Sequence, residues 1–253
     1  MRRNPETSIA AFLTFVAIAV CSPALQAQDK AAPGPLLPLA DVMRRAATVH
    51  NAALLSQRRE WTAEGTITIR TSEGKETKYP VTVLHKGADK VQRIVKYPGG
   101  EVREGTDGTS TWAGIPFGGP ASGAAMRFIE SQTVRSVNAL FGASATSMRD
   151  AGVKGDFRGV EVVDAQGRKT TFFLHPITGL VARSEVVIGE TQHMISGEIT
   201  PDIETYAYSD YRNVNGVLTP FRIEIHSSGF KAQDIQFETL RYNTGVKDDA
   251  FRP

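Results

Sequence analysis

Residues 204–225, ETYAYSDYRNVNGVLTPFRIEI, hold two strand-like runs joined by one defined turn. Tyr206, Tyr208 and Tyr211 lead in, Asn215-Gly216 stands at the bend, and Val217, Leu218, Phe221, Ile223 and Ile225 lead out. Asn-Gly is the pair that a two-residue type I′ turn requires, because both central residues need positive φ. Thr219-Pro220 lies inside the outgoing run, and proline has no N–H to give a ladder, so a bulge or a free edge is expected there. Beyond it, residues 221–226 alternate apolar and polar side chains, the pattern of an antiparallel strand buried on one face.

The rest of the chain repeats this unit. From Trp61 the period is two, with Trp61, Ala63, Gly65, Ile67 and Ile69 on one face and Thr62, Glu64, Thr66, Thr68 and Arg70 on the other. Turn signals at 72–75, 86–89, 98–100 and 107–108 separate runs at 79–85, 91–97, 102–106 and 110–115. Further runs follow at 159–163, 169–174, 180–188 and 232–242, with 189–202 read as a long polar loop. Short strands at such regular spacing predict a meander that forms a barrel or a strongly curved sheet.

Two helices interrupt the pattern. Asp41 is a candidate N-cap for a helix to about Leu55, with Val42, Ala46, Val49 and Ala53 on one stripe. Residues 122–141 place Met126, Ile129, Thr133, Val137 and Leu140 on another stripe between Gly/Pro-rich ends, which suits a hinged lid. The tail from Asn243 should be ordered, since Phe251 would otherwise be exposed.

The N-terminus reads as a secretory signal peptide over residues 1–27. Arg2 and Arg3 precede an apolar run at 9–20 and a small-residue end at Ala27, and the run is shorter than the roughly 20 residues that span a bilayer. A flexible leader over 28–38 and a single domain over 39–253 follow. The one cysteine, Cys21, lies within the signal, and Val20 stands where lipoprotein processing takes a small residue, so a lipid anchor there is not expected. Of the 29 basic and 27 acidic residues, Arg2, Arg3 and Glu6 leave with the signal, so the net charge falls from +2 to +1. That balance gives no electrostatic case for nucleic acid or an anionic membrane surface.

The mature chain would then have no thiol for a disulfide, a nucleophile or a metal. His50, His85, His175, His193 and His226 show no ligand spacing. No Gly-x-Ser-x-Gly elbow and no phosphate cradle is present. The expectation is therefore a protein that is not an enzyme and has no cofactor. Apolar side chains in a curling sheet can instead line a dry cavity. The cavity and lid candidates are Trp61, Ile67, Ile69, Val81, Val83, Trp112, Met126, Ile129, Val137, Leu140, Phe173, Phe221 and Ile223. An ordinary solid core would use the same residues.

Several segments, taken with this order of elements, carry a family resemblance. They are 61–66 (WTAEGT), 107–112 (DGTSTW), 174–180 (LHPITGL), 210–221 (DYRNVNGVLTPF) and the ending from Asn243 to Phe251. Together they resemble the LolA/LolB-like outer-membrane lipoprotein-sorting proteins over most of the mature chain. The resemblance implies a mostly β protein, an unclosed antiparallel barrel with an N-terminal helix and a helical lid. It also implies a periplasmic carrier that buries acyl chains of lipids or lipoproteins, exchanging them with envelope proteins of the inner and outer membranes; a monomer is expected. A non-catalytic sensor or scaffold of the same fold, binding a protein partner, is the alternative it implies.

Overall fold

The computed structural model describes residues 37–70, 73–114, 119–120, 129, 137–141, 145–192, 198–227 and 230–252. The described residues form one sheet of thirteen antiparallel strands with little helix. The strands are β1 (Glu60–Arg70), β2 (Glu76–Lys86), β3 (Lys90–Tyr97), β4 (Gly100–Asp107), β5 (Thr111–Gly114), β6 (Gly119–Pro120) and β7 (Ala145–Lys154). They continue as β8 (Phe157–Asp164), β9 (Lys169–Leu174), β10 (Val181–Gln192), β11 (Ile199–Val214), β12 (Val217–Ser227) and β13 (Phe230–Tyr242).

Their spatial order is β6-β5-β4-β3-β2-β1-β13-β12-β11-β10-β9-β8-β7. Two features depart from a simple meander. β1 pairs with β13, which fastens the N- and C-terminal strands together in the middle of the sheet. The consecutive strands β6 and β7 are the two edges and do not pair, so the barrel stays open there.

One face of the sheet carries the core. Ala63 and Ile67 of β1, Val81 and Val83 of β2, Val91 and Val95 of β3, Phe172 and Leu174 of β9 and Tyr206 of β11 are all buried in one cluster. Helix α1 (Leu39–Val49) lays its fully buried Val42 and Ala46 on this face. It starts one residue after Pro38 with no side-chain cap; Asp41 sits in the first turn instead, bonded to Arg44 at 2.6 Å.

The single helix expected to reach Leu55 is broken at Asn51, whose φ of 52° is left-handed. Asparagine tolerates that conformation, and here its Nδ2 donates to the Gly216 carbonyl at 3.0 Å. Helix α2 (Ala52–Leu55) then turns Leu55 into the core. Most of the lid expected over 122–141 lies outside the described residues, Met126 included. What is described, Ile129 and helix α3 (Val137–Phe141), is buried at Ile129, Val137 and Leu140 within the same cluster. α3 lies against α2 and β7.

On the opposite face the tail covers an apolar patch at β5. The tail ends in a 3-10 turn, Asp248–Phe251, with Phe251 fully buried and its carbonyl accepting from Trp112 Nε1 at 3.2 Å. Lys86 and Lys90 both reach Asp248 at 3.1 Å.

Candidate functional site: an apolar pocket where β12 and β13 part

β12 and β13 pair from Arg222–Gln236 to Ser227–Phe230 and no further. Past that point β12 stays with β11 and β13 stays with β1, so the two strands splay. Pro220 sits at this fork, where the missing N–H leaves no broken ladder bond. The free edge expected at Thr219-Pro220 is therefore present inside an interior strand.

A pocket fills the fork. Leu218, Thr219 and Pro220 come from β12, Phe237, Leu240 and Tyr242 from β13, and Trp61, Val83 and Val91 from the first three strands. Tyr208, Ile223, Leu55 of α2 and Val137 of α3 close it. None of these lining residues is an acid, a lysine, an arginine or a histidine. The volume is about 60 Å³. That is several times the ~10–15 Å³ one water needs and under half of the ~150 Å³ apolar cavity that accepts a benzene.

The polar atoms at the pocket are hydroxyls that satisfy one another. Thr219 Oγ1 and Tyr242 OH are 2.9 Å apart and bridge the fork, and Ser184 Oγ and Tyr208 OH are 2.7 Å apart. Burial raises the Tyr242 pKa, against a smaller lowering by the Thr219 bond, so the phenol stays neutral. Trp61 packs between His85, stacked with centroids 5.3 Å apart, and the edge of Phe237 at 6.3 Å. Among the described residues no group of three His, Cys, Asp or Glu could hold a metal. The arrangement can shelter apolar groups.

Fully buried His50, at the corner of α1, holds the β12 side of the fork. Its Nδ1 is 3.1 Å from the Leu218 carbonyl, which can only accept, so Nδ1 carries the proton. Its Nε2 accepts from the Val181 N–H at 3.4 Å. Desolvation lowers the His50 pKa below the usual 6.5, outweighing the upward pull of the Leu218 bond. The unfolded chain therefore takes up a proton before the folded one, so stability is full above pH 6.5 and declines as the pH falls below it. Urea unfolding between about pH 7.5 and about pH 5.5 should show a falling midpoint, and His50→Gln should flatten that slope.

Of the candidates read from sequence, Trp61, Val83, Val137 and Ile223 meet at the pocket. Ile67, Val81, Ile129, Leu140 and Phe221 are buried in the same core without lining it, and half-buried Ile69 packs against that core. Trp112 and Phe173 are corrections: both are buried on the other face of the sheet. Trp112 pairs with Gly105 and covers it, one residue out of phase with the inner Thr106 and Glu104. Phe173 lies under the Arg183 guanidinium, 4.3 Å from the ring centroid, while its neighbour Phe172 takes the core place. The pocket residues missed by sequence are Leu55, Val91, Tyr208, Leu218, Thr219, Pro220, Phe237, Leu240 and Tyr242; the strand proline among them was the available signal.

No family model and no curated protein matches the sequence. Solved structures do. A LolA superfamily protein from Nitrosomonas europaea superposes with a TM-score of 0.52 at 13% identity, covering 86% of this chain and 99% of that one. The chain has the LolA fold. A DUF1329 family protein from Desulfovibrio piger matches with the same TM-score of 0.52 at 12% identity, over 86% of this chain and 98% of that one. The LolA-like sheet thus spans nearly the whole described chain, and at this identity the likeness is one of fold.

Proposed function

We propose that the protein is exported to the periplasm, loses residues 1–27, and acts as a carrier that buries acyl chains of lipids or lipoproteins on their way to the outer membrane. The observation that carries this reading is the apolar pocket free of charged side chains, set between the inner face of a LolA-like sheet and the helices α2 and α3. Burial of a chain is favourable by ~0.8 kcal/mol per CH₂, so no chemistry is needed to retain cargo. Inner- and outer-membrane proteins would supply and receive it.

A second reading has a specific basis, the small pocket volume of about 60 Å³. On that reading the fold is a non-catalytic sensor or scaffold whose partner is a protein. Lipid extraction and mass spectrometry of the mature protein, made in a bacterial periplasm and purified without detergent, separates the two. Acylated species at one per protein are expected; a folded apo protein that refuses fluorescent acyl probes would sink the carrier.

A further inference from the structure

The pairing pattern leaves the β11–β12 turn end of the sheet without lateral partner strands. β11 bonds to β10 only as far as Arg183–Ala207, and β12 bonds to β13 only from Arg222–Gln236 onward. Between those limits, residues 211–220 pair with each other alone, from Tyr211–Pro220 to Val214–Val217. The turn at the end has φ of 50° at Asn215 and 86° at Gly216, the type I′ geometry. A two-stranded ribbon is marginal by itself, so other contacts must fix where it lies.

Fully buried Val217 anchors it in the core, and four hydrogen bonds add to that hold. Thr219 bridges to Tyr242, the Tyr211 hydroxyl donates to the Val181 carbonyl at 2.5 Å, Asn51 Nδ2 donates to Gly216 and His50 Nδ1 donates to Leu218. The base of the ribbon is marked as sharply. Asp210 has a left-handed φ of 50°, and Gln236 Nε2 donates to its carboxylate at 2.9 Å and to the Phe221 carbonyl at 3.3 Å. Just below, Arg222 holds Asp234 through two bonds of 3.0 and 2.7 Å. Above that clamp, Leu218, Thr219 and Pro220 form one wall of the pocket.

We propose that residues 211–220 are a flap over the pocket, hinged at Asp210 and Phe221, and that a proton on His50 releases it. Protonation places a donor on Nε2 against the Val181 N–H, which is itself a donor, and puts a charge where none is balanced. The groups facing the ring from each packed element are uncharged. They are Phe141 of α3 at 5.9 Å, Tyr211 of β11 at 5.6 Å with its hydroxyl committed to Val181, and the backbone of β10 and β12. No carboxylate is among them to compensate an imidazolium. With His50 displaced, the ribbon loses its hold on Leu218 and the pocket wall can swing out. The purpose of the flap rests on the carrier reading, since a space of about 60 Å³ must widen to take an acyl chain.

Hydrogen exchange read by mass spectrometry on the mature protein tests this without any ligand. Protection in 211–220, corrected for intrinsic rates, should fall about tenfold or more between about pH 7.5 and about pH 5.5 while 230–242 keeps its protection. His50→Gln should abolish the difference. Equal protection at both pH values, or loss across the whole sheet together, would overturn the flap. Should His50→Gln fold poorly, Thr219→Val combined with Tyr242→Phe should loosen 211–220 at both pH values and nothing else; an unchanged ribbon would overturn the hinge. An apo protein with a pH-sensitive ribbon removes the carrier and leaves the flap, whereas a lipid-loaded protein with an insensitive ribbon does the reverse.

Discussion

Gly65→Ala should lower stability by about 3 kcal/mol or more, which for a domain of this size is a fall in Tm of roughly 6–12 °C. Gly65 lies where β1 meets β13, at the register shift that leaves Glu238 as an extra residue opposite Glu64 and Gly65. A Cβ there would overlap the Gln236 carbonyl oxygen and stand 2.7 Å from Phe237 Cα. Both are backbone atoms and cannot rotate away, so the strands must separate. This pair joins the two ends of the chain, so the strain spreads into the sheet rather than into a loop. Gly99, where a Cβ would meet nothing within 4 Å, is the control and should change stability by less than about 0.5 kcal/mol on the same substitution. Thermal melts of both variants decide it: an alanine at 65 melting like the parent would mean that β1 and β13 yield at little cost.

Gly65 also shows how far the sequence could be read. Its place on the inner face of β1 followed from the period of two at Trp61–Ile69, but its need to be glycine depended on a strand more than 160 residues away. Where one face is buried, the runs were plain: residues 169–174 coincide with β9, and Asn215-Gly216 makes the turn it demands. Where both faces meet water, the pattern vanishes. β7, ATSMRDAGVK, is an edge strand exposed along nearly its whole length and carries two register shifts, so it has no alternation by which a strand could be read.

The region 189–202, read as a loop, instead holds the end of β10 and the start of β11, which pair with each other beyond the reach of β9 and β12. Trp112 and Phe173 expose a different limit. Burial can be guessed from residue type, but which face buries a side chain depends on the register and on the tail or cation that covers it. The pocket was legible only in part for the same reason. Its hydroxyl-bearing wall arises from where two strands stop pairing, and Pro220 alone hints at that.

Val137→Asp should weaken binding of a fluorescent fatty-acyl probe about 100-fold, a loss of ~2.7 kcal/mol, with the circular dichroism of the sheet unchanged. Val137 is buried in the core and lines the pocket from α3, a five-residue helix near the open edge of the sheet. A carboxylate there has no cation among the described pocket residues and only hydroxyls already bonded to each other. Two responses are open to the protein: the aspartate stays and makes the pocket wet, or α3 turns it outward and removes a wall. Both lower affinity for an acyl chain, and neither breaks a ladder between strands. Val137→Ala removes two methyl groups without adding charge, so its effect should stay below about tenfold. If the aspartate variant binds the probe as the parent does while remaining folded, acyl chains bind elsewhere and α3 has no part in holding them.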